Sequence, residues 1–445
     1  MKIVRPLSIS LLAVLAVLAT SAGVAAAPPP PAAFVAFDDF VSGVESADAA
    51  SYLGAAGSKV ESAAAFEDMR DHLLSLYEGV EATHSFLLGS QYVDCIPILQ
   101  QPSARALGLT AVATPPAPVV PSSPAPGPVA QSQLTLGLTD AFGNRIACDT
   151  GTIPMRRLTL DNLSRFKTLR DFTTKPSPPG RSILPPAVSA ANYRWEYTKL
   201  SLSNLGASAY FNVWYPSVTA GTFDHSLAEM WILAGGMGVQ QSAEAGWSVA
   251  PDTFGTSAAV LFTYWTADDY NVTGCYDLTC PGFIQTSTLT ALGTPFWSGP
   301  SEPGNPSYTL LWLSWHFTGG NWWLQVENAC AEPPNPSCVL GYIPGSTYGT
   351  GQLSKYSEEL EFGGEVSNSV LTKPWPPMGS GAYASTGDFY SAWLAGTSYW
   401  NLSGTVETAN GQPFSSNAQS CFTIQCFTTG MCQNFYFGGP GGNGC

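Results

Sequence analysis

Positive charge is scarce in this chain, and so is imidazole. Only 17 Lys and Arg stand against 32 Asp and Glu, with four His in 445 residues. The resulting net charge of −15 argues against a phosphate-rich partner, so no nucleic acid is expected. So few histidines beside ten cysteines argue against zinc sites, and neither a metal nor another cofactor is expected. From residue 193 onward the histidines are His225 and His316, and no Gly-x-Ser-x-Gly elbow accompanies them. A serine nucleophile with a histidine base is therefore poorly supported. After the N-terminal segment no apolar run is long enough to cross a bilayer, so no membrane partner is expected. Charged residues make up 11% of the chain and aromatic ones 12%, a balance that folded, core-forming chains have and disordered ones lack.

The chain begins with a leader. Residues 1–26 carry Lys2 and Arg5, an apolar run from Leu11 to Ala19 and small residues at Val24, Ala25 and Ala26, the pattern of a secretory signal peptide. A secreted product, extracellular or periplasmic, is expected, and its cysteines then read as disulfides. Residues 27–192 differ in composition from residues 193–445. They hold an approximate helical stripe from Glu61 to Leu76 (Phe66, Met69, Leu73, Leu74, Leu76), a linker with seven prolines between Pro115 and Pro128, and a short ordered element from Ile153 to Phe166. The expectation is a mixed, partly irregular pro-domain.

Charge divides the two regions. From Arg145 to Arg181 eight basic residues face three acidic ones, a net of +5; from Tyr193 onward four basic residues face seventeen acidic ones, a net of −13. A basic leader and an acidic body attract one another, and protonating the body's carboxylates weakens that attraction.

The body, residues 193–445, reads as all-β. Tyr210–Tyr215, Leu227–Leu233, Ala258–Thr266 and Tyr399–Val406 are short aromatic or β-branched runs bounded by turn residues. Tyr308–Phe317 and Trp322–Glu327, joined through Gly319 and Gly320, form a hairpin pattern. An antiparallel sandwich or barrel is the expected architecture. Trp265, Trp312, Trp315, Trp322 and Trp323 are expected mainly in the core, with one or two free to stack on proline rings.

Two stretches carry chemistry. Glu358 to Val366 packs four carboxylates around Gly363 and Gly364; as a strand it turns Leu360 and Phe362 to one face and Glu359, Glu361 and Glu365 to the other, unless the glycines form a bulge. The second, Ser242 to Val249, alternates cleanly, placing Glu244 with Ser242, Gly246 and Ser248 opposite Ala243, Ala245 and Trp247. A charged edge strand and a solvated face explain these patterns equally well.

Seven blocks from residue 244 to residue 381 resemble the neprosin family of glutamic prolyl endopeptidases: Glu244-Ala-Gly-Trp-Ser-Val, Phe262-Thr-Tyr-Trp-Thr, Thr273-Gly-Cys-Tyr-Asp-Leu-Thr-Cys-Pro-Gly-Phe-Ile-Gln, Gly320-Asn-Trp-Trp-Leu, Gly341-Tyr-Ile-Pro, Glu361-Phe-Gly-Gly-Glu-Val and Met378-Gly-Ser-Gly. The resemblance implies a sandwich of two antiparallel sheets, a glutamate pair in a groove on one sheet, and acid-pH cleavage after proline. The catalytic residues it implies are Glu244 and Glu365, with Glu361 a rival for the second place and the acid and base roles undecided. Trp247, Tyr264 and Trp265 are candidates for the groove. Cys275 and Cys280 are expected to pair, as in the family. Cys330 with Cys338, and Cys95 and Cys148, are further disulfide candidates; Cys421, Cys426, Cys432 and Cys445 are expected to form two more bridges of unassigned connectivity. The implied partners are proline-containing peptides and the chain's own pro-segment, acting as an intramolecular inhibitor. Such an enzyme can cut its own proline-rich junction, after Pro179, Pro185 or Pro186. The competing class is a secreted glycoside hydrolase, or a carbohydrate-binding sandwich, using the same carboxylate face.

Overall fold

The computed structural model describes residues 33–119, 134, 136–175, 192–236, 239–296, 299–305, 309–327, 339–416 and 420–445. The segment expected to be a signal peptide, most of the Pro115–Pro128 linker, the junction after Lys175, and Cys330 with Cys338 lie outside the described residues.

In the leader, α1 (Phe37–Glu45) and α2 (Ala63–Tyr77) pack beside a three-stranded antiparallel sheet of β1 (His84–Leu88), β2 (Gln91–Pro97) and β3 (Thr152–Arg156). The stripe predicted over Glu61–Leu76 is α2: Ser62 caps it by accepting from the Ala65 amide, and Phe66, Met69, Leu73 and Leu76 are buried. Next in the chain come α3 (Pro102–Ala106) and, within Ile153–Phe166, β3 and α4 (Leu160–Leu163), which starts at a Thr159 and Asn162 capping box. Then α5 (Leu169–Thr173) has its own box at Thr168 and Asp171. Arg157 and Asp94 form a bidentate ion pair within the leader, both side chains almost wholly buried.

The body is a β-sandwich. Its strands are β4 (Tyr193–Asn204), β5 (Gly206–Asn212), β6 (Ser226–Ala234), β7 (Gln241–Val249), β8 (Val260–Thr266), β9 (Cys275–Tyr276), β10 (Ile284–Gln285), β11 (Leu310–Thr318), β12 (Asn321–Val326), β13 (Val339–Pro344), β14 (Ser357–Ser367), β15 (Ala392–Trp400), β16 (Val406–Thr408), β17 (Gln412–Ser415), β18 (Thr423–Thr428) and β19 (Met431–Gly438). One antiparallel sheet runs β17-β4-β14-β6-β7-β8-β9; the other runs β10-β13-β12-β11-β5-β15-β19-β18, with β16 added to β15. The β11–β12 hairpin turns through Gly319 and Gly320, both at positive φ, a conformation that glycine adopts without penalty. The run predicted over Tyr399–Val406 is instead the end of β15, a turn closed by Asn401 accepting from the Ser403 and Thr405 amides, and the start of β16.

The inward faces of the two sheets enclose a core to which the leader also contributes: Phe66, Leu73, Leu163 and Phe172 join Ala245, Trp247, Leu313, Trp315, Leu360 and Phe362 in one cluster. Polar leader side chains reach body backbone as well. Gln91 donates to the Phe254 and Gly293 carbonyls, Ser103 to Phe283, Arg165 to Pro251, and Gln101 exchanges hydrogen bonds with Gln285. Leader and body thus share buried apolar surface and satisfy one another's backbone groups.

Disulfides join Cys95 to Cys148, Cys275 to Cys280, Cys421 to Cys445 and Cys426 to Cys432. The tail connectivity is nested, the outer bridge holding Cys445, whose carbonyl accepts from Arg194 on β4.

Candidate active site

The outward face of the seven-stranded sheet holds the carboxylates. Strand alternation puts Glu361, Gly363 and Glu365 of β14 on it, and the register of β14 against β4 and β6 is unbroken from Glu359 to Val366, so Gly363 and Gly364 form no bulge. Glu365 lies opposite Leu227 on β6 and Trp195 on β4; Glu244 lies opposite Trp231 on β6 and Tyr264 on β8.

A third carboxylate stands between them. Glu229 on β6 is opposite Gly363 on one side and Gly246 on the other, one strand and two positions from each of Glu244 and Glu365. On a sheet that spacing sets its Cα about 8 Å from theirs. The sequence motifs point to a single pair, Glu244 and Glu365; the structure fills the gap between them with Glu229. The flanking glycines are required by close packing. A Cβ on Gly246 would lie 2.7 Å from the Glu229 Cβ, and one on Gly363 2.6 Å from the Tyr197 Cβ.

The floor of this trough is aromatic. Tyr193, Trp195, Trp231, Phe262, Tyr264 and Tyr270 form a second buried cluster with Leu227 and Leu233. Within it Lys175, the last described residue of the leader, places its ammonium on both Glu229 Oε1 and Glu244 Oε2, with all three side chains almost entirely buried. The Lys175 amide donates to the Tyr264 hydroxyl (3.1 Å), which donates to the Thr173 carbonyl (3.1 Å), and the ammonium lies 5.5 Å from the centre of the Trp231 ring. Burial works to remove the Lys175 proton, but Glu229, Glu244 and Glu365 outweigh it and hold the ammonium charged, above the ordinary lysine range.

Each carboxylate has its own surroundings. Glu244 Oε1 accepts from Ser242 Oγ and the Tyr270 hydroxyl, each at 2.6 Å. Glu365 accepts from Trp195 Nε1 on Oε2 (2.7 Å) and meets His225 Nε2 at Oε1 (2.7 Å). The Ser367 hydroxyl accepts the His225 amide and meets the ring Nδ1 at 3.1 Å, which orients the ring with Nε2 toward Glu365. Burial would raise the Glu365 carboxyl, yet Lys175, His225 and Trp195 hold it below the usual value. Glu229 behaves oppositely: burial pushes it well above the carboxylate range, Lys175 opposes, and Glu244 and Glu365 add to the rise.

The remaining candidates divide by face. Tyr264 belongs to the trough. Trp247 does not: it is fully buried between the sheets, donating to the Asn212 carbonyl (3.1 Å). Trp265 likewise faces away from Glu244, edge-on to Tyr348. Trp315 and Trp322 sit in the main core, Trp312 and Trp323 in smaller clusters. Glu361 shares the carboxylate face but lies further along, level with Lys199 and 3.9 Å from its ammonium.

With this geometry in place, comparison with known proteins finds that residues 222–440 match the family model named Neprosin. Residues 222–440 are a neprosin domain. All three trough glutamates, His225 and the Cys275–Cys280 bridge fall inside it, whereas Trp195 and Lys175 precede it. Among solved structures the chain is similar to scytalido-glutamic peptidase with a peptide-based transition state analog, at 12% identity over 56% of this chain and 97% of that one, with a TM-score of 0.29. It is also similar to SCP-B, a member of the Eqolisin family of peptidases in complex with the tripeptide Ala-Ile-His, at 10% identity over 55% and 96% of the two chains, with a TM-score of 0.28.

Four functional candidates emerge only from the structure. Glu229 carries a faint signal in the sequence, a lone carboxylate in the alternation Leu227, Glu229, Trp231, Leu233. Lys175 reads there only as one of the leader's bases, His225 only as a partner for serine, and Tyr270 has no signal.

Proposed function

We propose that this chain is a secreted glutamic endopeptidase, made as an inactive precursor, that cuts peptide bonds after proline in acid. Its catalytic carboxylates are Glu244 and Glu365. The observation that carries the reading is Lys175: a cation from the leader lies buried on the carboxylates of a neprosin domain, where a substrate has to lie. An unpaired buried ammonium is costly, and so is a cluster of unpaired buried carboxylates; each offsets the other while the leader stays docked.

Once the leader leaves, Glu365 is the base. Hydrogen bonds from Trp195 and His225 favour its ionised form, so it takes a proton from the attacking water. The Glu244 side of the trough supplies the acid. Flat aromatic faces at Trp195, Trp231, Tyr264 and Tyr270 offer stacking surfaces that suit a pyrrolidine ring, which supports specificity for proline. Disulfides and the apolar N-terminal run support secretion. Maturation is self-inflicted, after Pro179, Pro185 or Pro186.

The test is to incubate acid-treated protein with a quenched peptide containing one proline and with a panel of polysaccharides. Cleavage after proline alone is the expected result. Polysaccharide hydrolysis without peptide cleavage overturns the reading in favour of a glycosidase.

A further inference from the structure

Glu229 occupies the middle of the trough, and three independent features set it apart from a carboxylate kept for stability. It is fully buried among aromatic rings, and its Oε2 has no hydrogen-bond partner among the described residues. Its strand neighbours on both sides, Gly246 and Gly363, have no side chain, so nothing of theirs stands over it. The chain's own cation is aimed at it, spanning Glu229 Oε1 and Glu244 Oε2.

We propose that Glu229 is a third catalytic carboxylate, the proton donor to the carbonyl oxygen of the scissile bond, holding its proton jointly with Glu244. The proposal rests on the peptidase reading given above. Two carboxylate oxygens that bind one ammonium are no more than about 6 Å apart. When Lys175 withdraws, two buried carboxylates at that separation cannot both stay ionised, and the pair retains one proton. Neighbouring donors decide where it resides. Glu244 is met by Ser242 and Tyr270, which stabilise its anion, whereas Glu229 is faced by Glu244 from β7, by Glu365 from β14, and by the rings of Trp231 and Tyr264. The proton therefore belongs on Glu229.

Hydrolysis then balances in two stages. Glu365 takes a proton from water as the water oxygen bonds to the carbonyl carbon; the carbonyl π pair moves to oxygen, which takes the proton from Glu229. On collapse the C–N bond breaks, the leaving nitrogen takes the proton from Glu365, and one hydroxyl of the diol returns its proton to Glu229. The products are a carboxylic acid and an amine, and no co-reactant is needed.

The experiment compares acid-activated wild type with Glu229→Leu, Glu229→Gln and the control Glu365→Gln, measuring kcat, KM and the pH profile on a quenched proline peptide. Expected for Glu229→Leu is a kcat roughly 100- to 1000-fold lower with KM little changed. Glu229→Gln retains a hydrogen-bond donor but no labile proton, so it is impaired less and loses the alkaline limb of the profile. Wild-type kcat in folded Glu229→Leu, or a wild-type alkaline limb in Glu229→Gln, overturns the proposal; if the Leu variant does not fold, the limb of the Gln variant decides. Full activity in Glu365→Gln instead overturns the assignment of Glu365 as the base, and absence of peptide cleavage by the wild type overturns the peptidase reading itself.

Discussion

Lys175 of the leader and Glu244 of the body are 69 positions apart in sequence and joined by a fully buried ion pair. The lysine makes a second such pair with Glu229, so a single side chain joins the segment before the β-sandwich to two carboxylates of the trough.

Replacing that lysine tests the tie. Lys175→Met leaves buried carboxylates uncompensated, and breaking a buried pair in this way costs about 3–5 kcal/mol. Chemical denaturation of the precursor should show the loss at pH 7 and a smaller one at pH 4, where the carboxylates take up protons. Peptidase activity should also appear at a higher pH than in wild type.

Acid should release the leader. Lys175 helps to hold the Glu365 carboxyl below its usual value despite burial, so at Glu365 the docked state binds fewer protons than the released one. Docking is then favoured at neutral pH and weakens as pH falls into the carboxylate range. Hydrogen exchange of the intact precursor should show the Lys175 amide, held by the Tyr264 hydroxyl, protected at pH 7 and losing protection below about pH 4.5.

His225 should set the acid side of the activity profile. His225→Leu removes one of the two donors that favour the Glu365 anion, so the folded pKa of Glu365 rises. The acid limb of kcat/KM should move up by about 1 pH unit, with KM little altered.

Glu196 predicts acid stability. Burial raises its carboxyl to about 8, against a hydrogen bond from Ser415 that lowers it. The folded state therefore holds a proton that the unfolded chain has already lost, and this contribution is complete below the unfolded value of 4.5 and disappears as pH rises through 8. Glu196→Gln should raise Tm at about pH 8.5 and leave it unchanged at about pH 4.

Gly246 should not tolerate a side chain. A Cβ there meets the Ala228 carbonyl at 2.0 Å and Glu229 at 2.7 Å, so Gly246→Ala must push β6 and β7 apart. A loss of about 1–3 kcal/mol is expected in denaturant melts, with a larger proportional loss of activity because Glu229 moves.

Much of this is legible in the sequence, for reasons that particular residues make plain. The alternation around Glu244 and Glu365 determines which face each carboxylate joins, and the β11–β12 hairpin announces itself through Gly319 and Gly320. The same alternation sets Trp247 opposite Glu244, so its place in the core follows from period two, and assigning it to the groove ignores that. Glu229 is hidden because its meaning comes from register: only the pairing of β6 with both β7 and β14 puts it between Gly246 and Gly363, and register is a non-local property. Lys175 is hidden for a similar reason. One lysine before a proline-rich junction looks like any other until the chain folds back and buries it.

The central claim is that the carboxylate trough covered by Lys175 is where peptide bonds are cut. Its most direct test is mass-spectrometric mapping of cleavage sites on a denatured proteome at acid pH, using acid-activated wild type beside Glu244→Gln and Glu365→Gln. New termini immediately after proline are predicted in the wild-type digest and none in either variant. Proline-directed cleavage that persists in both variants, with their fold intact, would contradict it.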